Sequence, residues 1–76
     1  MNNYNRLNIP NTSEYIYAGN KVKLGRFSKD TWIASFGWYT WGGNRPVCGW
    51  YLVNLTDNST VKPLQITDLY DIIVIS

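Results

Sequence analysis

The stretch WIASFGWYTWGGNRPVCGWY, residues 32–51, decides the fold. It holds seven aromatic residues, including all four tryptophans of the chain. Aromatic and β-branched side chains suit a pleated, half-buried surface, and here they recur with the period of a strand. Residues 31–41 therefore read as the longest strand, with Trp32, Ala34, Phe36 and Trp38 on one face and Ile33, Ser35, Gly37, Tyr39 and Trp41 on the other. Gly42-Gly43-Asn44-Arg45-Pro46 supplies the positive φ angles and the fixed φ of a hairpin loop, and residues 47–55 return as the partner strand. Gly37 in mid-strand predicts a bulge or sharp bend. Trp32, Phe36, Trp38 and Trp50 are expected to make the core, and Cys48, between Val47 and Gly49, to be a small core residue.

Outward from this hairpin the signals are shorter. Residues 1–12 are polar, Asn-rich and aperiodic, so they read as a flexible arm ahead of one domain spanning 13–76. A weak strand at 14–18 ends at Gly19-Asn20, a pair suited to a tight turn. Residues 21–27 alternate so that Val22 and Leu24 point inward and Lys21 and Lys23 outward. On the other side, Thr56-Asp57-Asn58-Ser59 turns the chain into a strand at 60–66, where Pro63 removes a ladder donor and predicts an edge. Thr67-Asp68-Leu69-Tyr70 reads as one helical turn capped by Thr67 or Asp68, and residues 72–75 as a short apolar final strand.

Composition narrows the chemistry. Seventy-six residues make one domain near the lower size limit for folding without a staple. One cysteine forms no intramolecular disulfide, and with no histidine the usual zinc sites are excluded. General acid–base work wants a group tuned near neutrality, and Cys48 has no histidine base. The expectation is a protein that is not an enzyme, with no cofactor and no metal. The amino terminus lacks the basic and apolar regions of a signal peptide, and no apolar run approaches the roughly 20 residues of a membrane span. A cytoplasmic location follows as an expectation, supported by the single thiol. Net charge is +2, but residues 1–47 carry +4 and residues 48–76 carry −2. One face is expected to be weakly basic.

Five short strands, a long central hairpin and a single helical turn before a short last strand resemble the Src-homology-3-like small barrel over roughly residues 20–75. The resemblance implies an all-β, five-stranded barrel with a helical turn before the last strand. The peptide-binding family's ALYDY-like start and acidic loop are absent here, so its proline-rich ligand specificity is not carried over. The small size and the richness in Asn, Ile, Tyr and Lys also resemble accessory proteins of phages and prophages of Gram-positive bacteria.

Three functions are expected from different classes. The first is a non-catalytic protein-binding module docking on a larger host or phage protein, for example as an inhibitor of a host defence such as a CRISPR effector. Its contact residues are Tyr39, Trp41, Asn44, Arg45 and Tyr51, because Trp, Tyr and Arg dominate interface hot spots. The second is single-stranded DNA or RNA binding through Lys21, Lys23, Arg26 and Lys29, with bases stacking on neighbouring aromatics. The third is a structural homo-oligomer or virion connector, pairing through the apolar 72–75 segment and an open edge.

Overall fold

Strands β1 (Arg6–Asn8), β2 (Tyr15–Tyr17), β3 (Lys21–Lys23), β4 (Trp32–Tyr39), β5 (Val47–Asn54), β6 (Val61–Pro63) and β7 (Ile73–Val74) follow one another along the chain, with helical turn α1 (Ile66–Leu69) before β7. The computed structural model describes residues 6–43, 45–57 and 60–76. The protein is all-β apart from α1. β1 and β2 form a separate antiparallel pair, and the remaining strands make one antiparallel sheet in the order β6-β5-β4-β3-β7.

The central hairpin pairs residue for residue, from Trp32 opposite Asn54 to Tyr39 opposite Val47. The register is unbroken at Gly37, which faces Gly49, so the expected bulge does not form. Gly37 instead adopts φ 155°, a conformation that glycine takes without strain. The alternation read from the sequence therefore holds along the whole strand.

The inner face of the sheet is built in rows. Val22 lies beside Trp32, and Trp32 beside Asn54; the next row is Ala34, Leu52 and Lys62. Beyond these come Phe36 beside Trp50, and then Trp38 beside Cys48. Only the central residues of the first two rows, Val22, Trp32, Asn54, Ala34 and Leu52, are dry. Ile9 and Ile16 from the β1–β2 hairpin, and Leu69 and Ile72 from the α1 segment, pack with Val22, Trp32, Ala34 and Leu52 in one core. Leu7, Leu24, Trp50 and Leu64 close its margin. Fully burying a Leu, Ile or Val side chain is worth roughly 1.5–3 kcal/mol, so this small cluster carries much of the stability of so short a chain.

Several expectations change as a result. No closed barrel forms: β6 and β7 are opposite edges of an open sheet, and they do not pair with each other among the described residues. The physical reason is that the apolar face is covered by the β1–β2 hairpin and α1 segment, so the sheet has no need to curl onto itself. Part of the expected arm, residues 6–12, is built into the fold through β1 and buried Ile9; residues 1–5 lie outside the described residues. Phe36 and Trp38 keep the predicted face but are exposed, at 37% and 72%, because the covering elements stop one row short of them. Trp50 is half-buried at the margin, and Cys48 is exposed rather than in the core. The strand expected at 21–27 ends at Lys23, ahead of Gly25 with φ 125°. Ile72 belongs to the core and not to the last strand.

Asparagine and aspartate side chains fasten the turns. Asn54 is a buried polar residue whose amide donates to Asp30 Oδ2 at 3.0 Å. Its Oδ1 accepts from the backbone N–H of Thr56 at 2.7 Å and of Asp57 at 3.1 Å. One side chain thus ties the start of β4 to the turn after β5. Asn20 does the same between β2 and β3: it accepts from the Tyr17 N–H at 2.7 Å and donates to the Ser76 carbonyl at 3.0 Å. Asn8 donates to the carbonyls of Thr12 and Glu14 across the β1–β2 loop. The helical turn starts one residue earlier than expected, and its N-cap is Gln65 and not Thr67 or Asp68; Asp68 closes the turn from the third helical position by accepting from the Gln65 N–H at 3.2 Å.

Two predictions follow from the packing. Leu52→Ala should cost about 2–5 kcal/mol and Trp32→Ala about 3–5 kcal/mol, whereas Trp38→Ala should stay within roughly 0.5 kcal/mol of the parent; urea melts of the three variants check the boundary between dry and wet rows. Asn54→Ala strands a carboxylate oxygen and two backbone N–H groups, so it should cost on the order of 2 kcal/mol, more than any exposed asparagine, in the same melts.

Candidate functional site

The distal half of the β4–β5 hairpin is set apart by strand length. β4 and β5 have eight residues each, while β3 and β6 on either side have three. β3 pairs with β4 at Trp32 and Ile33, and two further bonds involve Ala34: Gly19 N–H to the Ala34 carbonyl at 2.7 Å and Ala34 N–H to the Asn20 carbonyl at 3.0 Å. On the other flank β6 pairs with Tyr51–Val53, and the last bond is Leu64 N–H to the Trp50 carbonyl at 3.1 Å. Beyond Ala34 and Trp50 the hairpin projects past its neighbouring strands and presents both faces.

The inner distal face carries Phe36 and Trp50, whose rings meet edge to face with centroids 5.6 Å apart. Trp38 lies next, opposite exposed Cys48. At the tip Trp41 is 50% exposed, and Arg45 and Val47 are exposed with it. Gly42 and Gly43, with φ 67° and 76°, supply the positive-φ turn that the sequence pattern predicted. Asn44 lies outside the described residues.

The outer face carries the other two predicted contact residues. Tyr39 and Tyr51 stack with ring centroids 5.0 Å apart and planes 29° from parallel. They sit diagonally across the Gly37–Gly49 pair, and the missing side chains leave room for the rings to lean together. Both are half-buried, so the contact residues named from the sequence divide. Tyr39 and Tyr51 share the outer face, while Trp41 and Arg45 stand at the tip.

The basic residues also sort by register. Lys21 and Lys23 flank fully buried Val22, so both project from the outer face, the same face as Tyr39 and Tyr51. Arg26 and Lys29 are exposed in the loop between β3 and β4. Lys62, by contrast, lies on the inner face, with its ammonium 5.0 Å from the centroid of the Trp32 ring. Arg6 similarly caps Tyr15 at 4.4 Å on the β1–β2 hairpin. Lys62 thus covers a core ring, whereas Arg6 covers an exposed one.

Trp38 is the most exposed of the residues that the sequence assigned to the core and the structure brings to the surface, with Phe36 and Cys48 beside it. A usable signal was present: on the distal side Gly19-Asn20 and Pro63 end the flanking strands, and an eight-residue hairpin must overrun such neighbours. Among the described residues no group of three or more His, Cys, Asp or Glu converges, and no helix is long and apolar enough to cross a membrane. Comparison with protein-family models, with curated proteins and with solved structures finds no match to this chain.

Proposed function

We propose that this chain is a non-catalytic protein-binding module that docks on a larger protein through the distal β4–β5 hairpin. The observation that carries the reading is Trp38, 72% exposed on the same strand face where Ala34, four residues earlier, is fully buried. A core-directed tryptophan left in water is poor economy for a small fold unless another surface covers it. Removing such a ring from water is worth roughly 2–4 kcal/mol, the size of an interface hot spot. Trp41 and Arg45 at the tip extend the patch with residue types that anchor interfaces.

The strand order, with a helical turn before a last strand that lies beside the first strand of the meander, supports a resemblance to the Src-homology-3-like small barrel in element order, with the sheet left open. The likeness in size and composition to phage accessory proteins makes the partner a larger host or phage protein, met in the cytoplasm. A chain with no histidine and a lone thiol acts there by occupying a surface, not by catalysis. Inhibition of a host enzyme or defence complex fits that mode of action.

Affinity capture from lysate with the parent chain, Trp38→Ala, Trp41→Ala and Lys29→Ala tests the assignment. A stoichiometric partner should be retained by the parent and Lys29→Ala, and its recovery should fall at least tenfold with each tryptophan variant, consistent with hot-spot losses above about 1.4 kcal/mol. Equal recovery by all four chains, with melts showing the variants folded, removes the hairpin as the docking surface.

A further inference from the structure

We propose that the opposite, outer face of the sheet binds single-stranded nucleic acid along a diagonal from Arg26 and Lys29, through Lys23 and Lys21, to Tyr51 and Tyr39. Charge comes first. The five strands of the sheet contain lysines 21, 23 and 62 and no aspartate or glutamate. Lys62 is committed to the inner face over Trp32, which leaves Lys21 and Lys23 as the outer-face charges. No ion pair engages Lys21, Lys23, Arg26 or Lys29 among the described residues. Asp30, the nearest acid in sequence, has one carboxylate oxygen held by the Asn54 amide.

Position comes second. Lys21 is opposite Ile33, Ile33 is opposite Val53, and Tyr51 lies two residues along β5 from Val53. A strand spacing of about 4.8 Å and a rise of about 3.3 Å per residue put the Lys21 and Tyr51 backbones roughly 12 Å apart on one face. A flexible lysine stem and a tyrosine ring both shorten that gap, so one nucleotide can place its phosphate at the ammonium and its base toward the ring. Between them stand Ile33 and Ser35, neither of which bears charge. The loop cations continue the track at the Lys23 end, and the Tyr39–Tyr51 stack ends it at the distal side.

The chemistry selects a single strand over a duplex. Phosphates pair with the ammonium and guanidinium groups, while splayed bases extend the existing tyrosine stack. An acidic polypeptide would use the cations and leave the rings idle. This face is opposite the Trp38 surface, so the two proposals stand independently.

Fluorescence anisotropy of the intact chain with a labelled single strand of about twelve nucleotides, within the site size of small single-strand binders, reads the proposal directly. Three to four phosphate contacts at about 0.7 each give a log–log salt slope of roughly −2 to −3, a 15–50-fold weakening between about 50 and 200 mM salt. Lys21→Gln and Lys23→Gln should each make the slope shallower by about 0.7. Tyr39→Ala should weaken binding at every salt concentration with the slope unchanged, and Trp38→Ala should bind as the parent does. Absence of binding at about 50 mM salt, where phosphate contacts are strongest, overturns the proposal. So does competition by polyglutamate equal to that of unlabelled oligonucleotide, which would mark a general polyanion surface, or a duplex bound as tightly as the single strand.

Discussion

Everything in this small fold depends on keeping the Ala34–Leu52 row dry. These two residues face each other across the central hairpin, and neither exposes any surface. A sheet of this width cannot cover its own face without closing. Here the cover comes from outside the sheet: Ile9 and Ile16 from an added hairpin, Leu69 and Ile72 from the segment around a single helical turn. The chain folds as a two-layer arrangement because apolar area must leave water and two short segments suffice to remove it.

The same cover sets the boundary of the functional surface. It reaches two rows of the hairpin and no further, and the flanking strands stop at about the same level. The remaining half of the hairpin is paired through its own ladder yet lacks lateral neighbours. A paired, two-faced ribbon bearing Phe36, Trp38 and Trp50 on one side and stacked Tyr39 and Tyr51 on the other is well suited to recognition, since backbone already fixed in a ladder need not be ordered on binding. Stability and recognition thus draw on one strand pair, divided by position along it.

The asparagines show how a biased composition is used. A chain rich in Asn reads as loose, because amide side chains compete with regular secondary structure. In this fold that competition is put to use at turns. Asn8, Asn20 and Asn54 each bond to backbone or side-chain groups that a strand cannot satisfy, and Asn11 takes the left-handed conformation at φ 63°. Residues 6–12, which looked like an arm, are ordered by these bonds and by the burial of Ile9.

Local pattern determined the all-β class, the central hairpin and its face assignment, the glycine turn at its tip, the edge position of Pro63 and the helical turn with Asp68. Each rests on interactions within a few residues or on the two-residue period of a strand, which sequence displays directly. Which even-numbered aromatics would be dry was a different matter. Trp32 and Trp38 share a face and a residue type, yet one is 8% and the other 72% exposed. Their separation arises because covering side chains come from residues 9, 16, 69 and 72, far away in sequence, and their reach ends between the two tryptophans. The openness of the sheet has the same origin. Alternation tells a strand which side is inward, and only the packing of remote segments decides how far along the strand there is an inside.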